Sequence, residues 1–237
     1  MKTVYTGIES SGKSLQLSIR AAEILARNKR WLRVTGKPRS MVFNTPMSPA
    51  FIKEVTDAGL VYKEFKHLTE ILHLEECDIF IDELIKFFPA SGSNSLSREQ
   101  IDFITQGAKT GVHLIAASQD FSQVHKQFRL LVNEVFVVTK IIGSRRPMKT
   151  APPVKRIWGI CMMREVRPAS FKGDSATMED VSMIPHFFFI RREDTQRFDT
   201  SYKVPLTKLP VRVVRQQDLV GYAEDGVTPI YEKTLWV

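Results

Sequence analysis

The sequence predicts an α/β fold: a mainly parallel wound sheet with helices on both faces, and antiparallel strands added towards the C-terminus. Three observations predict it. Strand-like and helix-like apolar patterns alternate from the first residues to about residue 142. A glycine loop, Gly7-Ile8-Glu9-Ser10-Ser11-Gly12-Lys13-Ser14, joins the first strand pattern to the first helix pattern. The polar residues able to do chemistry, Lys13, Asp82, Glu83 and Gln119, all fall at or just after predicted strand ends, where such sheets bind ligands.

Taken in order, Thr3 to Thr6 is a short alternating strand, and Lys13 to about Asn28 is an amphipathic helix. Lys29 to Arg39 reads as a basic surface segment, with Trp31 and Val34 as possible strand residues. Met41-Val42-Phe43 is a strand stopped by Asn44-Thr45-Pro46. Ser48 is an N-cap followed by Pro49 at the first helical position, and that helix ends before Gly59. Leu60 to Phe65 alternates as a strand, and His67 to Leu74 is a short helix. The strand Asp78 to Ile81 is apolar after its first residue and runs into Asp82-Glu83. Ala90 to Ser95 is a loop by composition. Ser97 and Gln100 form a capping box for a helix to Lys109, with Gly111 beyond it. His113 to Gln119 is a buried strand, Ser122 to Leu131 a helix, and Val135 to Ile142 a further strand.

After residue 142 the character changes. Gly143 to Pro153 is a basic, proline-containing loop, and Lys155 to Arg167 and His186 to Arg192 read as added strands. Phe187-Phe188-Phe189 is expected to be core strand, since aromatic runs usually pack. The core is placed at residues 1–142, the added strands and basic loop at 143–200, and a C-terminal tail at 201–237, expected to pack on the domain or on a neighbouring subunit. That tail shows a possible helix from Gln216 to Tyr222.

The chemistry follows from the loop. Its pattern is G-x-x-x-x-G-K-[ST], in strand–loop–helix context. Glycines let backbone N–H groups crowd round a polyphosphate, and the helix N-terminus favours negative charge. Gly7, Ile8, Glu9, Ser10, Ser11, Gly12, Lys13, Ser14 and Leu15 are the expected nucleotide-binding residues. Lys13 can reach the terminal phosphates, and the Ser14 hydroxyl can ligate Mg²⁺. Asp82 is placed to contact the Mg²⁺ through water. Glu83, one residue on, can act as general base on the attacking water. Gln119 can hydrogen-bond the γ-phosphate or that water.

Composition narrows the class. The chain has 237 residues, 34 Lys+Arg against 26 Asp+Glu, and a net charge of +8, which points first to nucleic acid and second to an anionic membrane surface as partner. Two cysteines, Cys77 and Cys161, make no disulfide framework and fit buried thiols in a reducing compartment. The sequence shows no signal peptide and no apolar run long enough to span a bilayer, so the expected location is the cytosol. Histidines and cysteines lack metal-ligand spacing, and there is no G-x-S-x-G elbow and no guanine-reading N-K-x-D motif. Arg27 to Arg39, with six Lys/Arg and Trp31, and Arg145 to Arg156, with five, could track a nucleic-acid backbone or be solvated faces.

The series resembles the FtsK–HerA superfamily of P-loop ATPases, and within it the zonula occludens toxin-like (Zot) domain of filamentous-phage assembly proteins. The matching residues are Gly7–Ser14, then Phe80-Ile81-Asp82-Glu83 with Phe87-Phe88-Pro89, then Gln106-Gly107-Ala108-Lys109-Thr110-Gly111. Leu114 to Gln119 and Val124 to Arg129 follow, and Phe198-Asp199-Thr200 is similar to the Tyr-Asp-Thr that often closes such domains. The resemblance spans roughly residues 1–200. It implies ATP- and Mg²⁺-dependent hydrolysis that moves DNA or extrudes a DNA–protein filament, by a homo-oligomeric ring of five or six subunits.

It also implies an arginine supplied in trans. Arg98, Arg129, Arg145 and Arg146 are candidates, and Arg145 or Arg146 is favoured because both follow the strand after Gln119 in a loop. Filamentous assembly proteins are expected to carry a transmembrane helix after this domain, and this chain has none. That departure favours a viral genome-packaging ATPase in the host cytoplasm, contacting a capsid vertex. A Zot-like extrusion ATPase working with membrane assembly proteins is the alternative. A nucleotide switch or kinase using the same loop is the third reading.

Overall fold

A computed structural model of the chain describes residues 1–8, 11–90, 96–143, 159–166, 185–190, 194, 197, 217–222 and 229–233. The chain divides into two units, Met1–Pro205 and Leu206–Val237.

The first unit is built on one eight-stranded sheet. In chain order its strands are β1 (Lys2–Thr6), β2 (Ser40–Phe43), β3 (Val61–Glu64), β4 (Cys77–Ile81), β5 (His113–Ser118), β6 (Glu134–Gly143), β7 (Gly159–Val166) and β8 (His186–Ile190). They lie in the order β3-β2-β4-β5-β1-β6-β7-β8. Every pairing from β3 across to β6 is parallel, whereas β6–β7 and β7–β8 are antiparallel. The helices are α1 (Lys13–Thr35), α2 (Pro49–Asp57), α3 (Arg98–Gln106) and α4 (Lys126–Leu130).

Side chains alternate along a strand, so each strand feeds two cores. One core joins Leu17, Ala21, Ile24 and Leu25 of α1 and Phe51 and Val55 of α2 to Tyr5, Met41, Phe43, Phe80, Ile115 and Ala117. The other joins Phe103 and Ile104 of α3 and Phe128 of α4 to Val4, Val42, Ile79, Ile81, Leu114 and Ala116. Helices therefore cover both faces, and the central strands read as nearly unbroken apolar runs because both their faces are buried.

The local signals for α2 and α3 hold. Ser48 Oγ accepts from the Phe51 N–H with Pro49 at the first turn, and both halves of the Ser97–Gln100 capping box form. Elsewhere the structure corrects the expectation. α1 does not stop near Asn28 but runs to Thr35, where Gly36 (φ 68°) caps it and donates to the Leu32 carbonyl. No breaker stands between Asn28 and Gly36, and Asn28 is fully buried against β4, which fixes the middle of the helix. Trp31 and Val34 are thus helical, not strand.

The helix expected from Ser122 shrinks to Lys126–Leu130, because His125 and Val124 bridge back to Phe88 and Pro89. Only a 3₁₀ turn, Leu68–Glu70, forms in His67–Leu74. Phe187 and Phe189 are 58% and 71% exposed on the edge strand β8, with only the middle ring, Phe188, packed on the α1-side core.

In the second unit, β9 (Gln217–Tyr222) pairs antiparallel with β10 (Pro229–Lys233). Gln217–Tyr222 is therefore strand where the sequence suggests a helix; Gly221 weakens a helix, and Val220 and Tyr222 suit a strand. Among the described residues, no helix is long and apolar enough to cross a membrane.

Candidate functional site

The strand order brings together residues that the sequence holds far apart. β4, β5 and β1 are neighbours and parallel, so their carboxyl ends lie side by side. The glycine loop leaves β1, Asp82 and Glu83 leave β4, and Gln119 leaves β5.

Loop geometry depends on two glycines. Gly7 has φ 149°, and a Cβ there would come within 2.5 Å of the Val138 carbonyl on β6. Gly12 has φ 104° and precedes α1; a Cβ there would stand 3.1 Å from Cys161 Sγ on β7. Cys161, fully buried, also contacts the Ser11 carbonyl at 3.7 Å. The antiparallel part of the sheet thus backs the loop from behind. Lys13 is 8% exposed and folds over its own loop, donating from Nζ to the carbonyls of Gly7 (2.7 Å) and Ile8 (2.8 Å). Ser11 Oγ is buried and finds no protein partner among the described residues. Leu15 sits half-buried in the first turn of α1. Glu9 and Ser10 lie outside the described residues.

Ser14 Oγ donates to both carboxylate oxygens of Asp82, at 3.2 and 3.1 Å. Burial pushes the Asp82 carboxyl up to about 6; the neighbouring Glu83 charge adds to this, and the Ser14 hydroxyl with the Lys13 and Lys86 charges opposes it. Glu83 stands in the left-handed region, φ 65° and ψ 61°, at the start of the 3₁₀ turn Leu84–Lys86. For a residue with a Cβ that conformation costs about 1–2 kcal/mol. From that position its side chain meets Gln119, whose Nε2 donates to Glu83 Oε1 at 3.2 Å. The two predicted hydrolytic residues therefore touch.

Asn44 is a site residue that sequence reasoning missed; in the sequence it reads only as the end of a strand. Its side-chain Nδ2 donates to the Asp82 carbonyl at 2.7 Å, and its Oδ1 accepts from the Asp82 N–H at 2.7 Å. Phe43 of β2 is in register with Phe80 of β4, so Asn44 reaches the chain just past β4's end. A polar residue directly after an apolar strand was the available signal, but the β2–β4 adjacency that gives it meaning is not written locally.

The fit to a nucleotide and Mg²⁺ can be judged from these groups. A hydroxyl and a carboxylate facing each other are hard-oxygen ligands of the kind Mg²⁺ takes, with phosphate oxygens and water completing its shell. Ser11 Oγ adds a buried hydroxyl with an unused donor inside the loop. The residues fit. No cluster of three or more His, Cys, Asp or Glu able to hold a metal occurs among the described residues.

Of the candidate trans arginines, Arg98 is exposed at the start of α3. Arg129 lies near the end of α4, shortly before β6 begins and so towards the amino edge of the sheet. Arg145 and Arg146 lie outside the described residues. In the first basic segment, Arg27 and Arg39 pair with Asp78, and Lys29 with Glu54. Arg30, Arg33 and Lys37 are exposed, as is Trp31 at 44%.

No protein-family model matches the chain, and no curated protein matches its sequence. Among solved structures, the N-terminal domain of zonular occludens toxin from Neisseria meningitidis is similar over 84% of this chain and 98% of that one, with 15% identity and a TM-score of 0.53. The genome packaging NTPase of Sulfolobus turreted icosahedral virus 2, in complex with AMP, matches over 72% and 93% of the two chains at 11% identity and a TM-score of 0.45. The flagellar accessory protein FlaH from Methanocaldococcus jannaschii matches over 70% and 76% at 11% identity and a TM-score of 0.40. The strand order, the glycine loop between β1 and α1 and the likeness to the meningococcal domain agree: this chain has the P-loop NTPase fold, and its fold is similar to that of the meningococcal domain.

Proposed function

We propose that the chain is a Mg²⁺-dependent ATPase that moves DNA as a homo-oligomeric ring, of the viral genome-packaging type. One observation carries the hydrolytic part: the Ser14–Asp82 and Gln119–Glu83 pairs meet beside the glycine loop, at the ends of adjacent parallel strands.

Each residue then has a task. Loop N–H groups and Lys13 bind the polyphosphate. Ser14 and Asp82 would hold Mg²⁺, which when bound neutralises phosphate charge. The Glu83 carboxylate takes a proton from the attacking water as its oxygen bonds to phosphorus, and the ADP oxygen leaves on the opposite side. Gln119 holds the Glu83 carboxylate in place and offers its amide to the water or the γ-phosphate.

Support for DNA is electrostatic: the net charge of +8, and the exposed Arg30, Arg33 and Lys37 beside Trp31 at the end of α1. Contacts of this kind are to the backbone, independent of sequence and weakened by salt. A second reading, extrusion of a DNA–protein filament with a membrane-bound partner, is favoured by the likeness to the whole meningococcal toxin domain.

The test is ATP turnover by the purified chain, with and without Mg²⁺, and with single- or double-stranded DNA at low and high salt. The expected result is Mg²⁺-dependent hydrolysis that DNA stimulates at low salt and less at high salt. Hydrolysis indifferent to DNA would remove the packaging motor and leave the extrusion ATPase or a nucleotide switch or kinase. Glu83→Gln should keep ATP binding and lower turnover roughly 10²–10⁴-fold, as removal of a general base does; turnover within threefold of the parent overturns its role.

A further inference from the structure

We propose that Asn44 is a positioning residue for the hydrolytic site, acting through the Asp82 peptide rather than on the nucleotide. The inference rests on the ATPase reading above and assigns a role to a residue that follows β2, a strand that carries none of that reading's machinery.

The geometry is a closed two-bond pair. An Asn side-chain amide has one donor edge and one acceptor edge, and here each meets its complement on the same residue's backbone, at 2.7 Å both ways. β2 thereby continues its pairing with β4 by one side chain after the strand itself has ended. Asn44 is 6% exposed, its own N–H donates to the Phe80 carbonyl at 3.2 Å, and Thr45 Oγ1 donates to Asn44 Oδ1 at 3.2 Å. The amide's orientation is therefore fixed from three sides.

What it grips matters most. The peptide units on either side of Asp82 decide two things: whether the Asp82 carboxylate faces Ser14, and whether Glu83 enters its left-handed conformation towards Gln119. β4's regular ladder stops at Ile81, so the sheet does not hold these peptide units. A strained φ persists only where its surroundings over-determine it, and Asn44 supplies the bonds on the N-terminal side of Glu83. Its carbonyl-side bond to Asp82 fixes the peptide plane from which Glu83 leaves.

An amide is needed for both edges at once. Asn44→Asp keeps an acceptor for the Asp82 N–H, removes the donor to the Asp82 carbonyl and places a second carboxylate beside Asp82. Asn44→Ala removes both. Asn44→Ser, smaller and uncharged, retains one hydroxyl.

The experiment measures three properties of the full chain and of the Asn44→Ala, Asn44→Ser and Asn44→Asp variants. These are steady-state turnover over a Mg²⁺ titration, affinity for a fluorescent ATP analogue without Mg²⁺, and amide exchange of the Asp82 N–H. Expected for Asn44→Ala are a fall in kcat of at least 30-fold, a rise in the half-saturating Mg²⁺ concentration of at least fivefold, and Mg²⁺-free nucleotide affinity within threefold. Asp82 exchange should accelerate at least tenfold while exchange across β1 and β5 stays unchanged. Asn44→Ser should be intermediate. A kcat within threefold of the parent, or a fall in kcat matched by general loss of protection in β1 and β5, overturns the proposal.

If Asn44→Ala does not fold, Asn44→Ser carries the same comparison. If the parent chain shows no hydrolysis, the ATPase reading fails by itself. The positioning of Asp82 is then decided by exchange at its N–H and by Mg²⁺-dependent analogue binding in the variants, and unchanged values in both sink it.

Discussion

Two aspartates on one strand do opposite things. Asp78 lies near the start of β4 and Asp82 just past its end. Asp78 is fully buried and saturated by the protein: Arg27 (2.6 Å) and His113 Nδ1 (2.9 Å) meet Oδ1, while Asn28 (2.8 Å) and Arg39 (3.4 Å) meet Oδ2. Burial by itself would raise its carboxyl; the His113 and Asn28 hydrogen bonds and the Arg27 and Arg39 charges outweigh it and hold the group down at about 2. Asp82 has one side-chain hydroxyl bonded to it, Ser14, and its carboxyl stands at about 6. The difference teaches where a charge is structural. At the amino end the chain supplies the cations and the charge staples α1 to the sheet. At the carboxyl end the charge lacks that compensation, as a site for an incoming cation requires.

Asp78→Asn should give the larger effect on stability. It leaves the nearly buried Arg39 facing an amide and loosens α1, and breaking a buried pair from one side costs roughly 3–5 kcal/mol. For a unit of this size that is a fall in Tm of roughly 6–20 °C. Turnover per folded molecule at low temperature should stay within about threefold, because the glycine loop and Asp82 are at the other end of the strand. A large loss of turnover in folded Asp78→Asn protein would break the contrast.

Asp82→Asn should show the reverse. Burying an amide costs less than burying a carboxylate, so stability without metal should be unchanged or higher. Turnover should fall about 10²–10³-fold, the scale for removing one electrostatic element from a hydrolytic site. Calorimetry without and with Mg²⁺ and ATP checks both halves: the parent should gain stability from the ligands, and the variant should gain much less.

Much of this was legible from the sequence, for physical reasons that can be named. The glycine loop and Asp82-Glu83 are local patterns, and local patterns survive in a linear reading. The buried strands β4 and β5 announce themselves by apolar runs. What failed depended on partners distant in sequence. Asn28 reads as a helix end because a buried Asn looks like a cap until Asp78, 50 residues on, is seen to bind it. Asn44 and Cys161 gain meaning only from strand order, which sets Asn44 against Asp82 and Cys161 behind the glycine loop. Phe187 and Phe189 read as core because the sequence does not mark β8 as an edge.

The finest test of the contrast is a pH titration of the metal-free protein. Asp82's folded value, about 6, lies above the ordinary carboxylate value near 3.9, so between these pH values the folded state binds more protons and stability falls as pH rises. Asp78's folded value, about 2, lies below it, so its contribution is fully present above about pH 4 and is lost as pH falls towards 2. Holding the buried Asp78 carboxyl that far down is worth about 2–3 kcal/mol, and the upward displacement at Asp82 is of comparable size and opposite sign. Stability measured by urea unfolding should therefore peak near pH 4 when other groups are subtracted by comparison with the two variants. Asp82→Asn should flatten the limb between pH 4 and 6 and leave the acid limb; Asp78→Asn should do the opposite. The half-saturating Mg²⁺ concentration for ATP turnover should also rise as pH falls below about 6, because the proton and the metal compete for the same carboxylate. A Mg²⁺ requirement that does not change between pH 5 and 7.5 would show that Asp82 does not serve the metal.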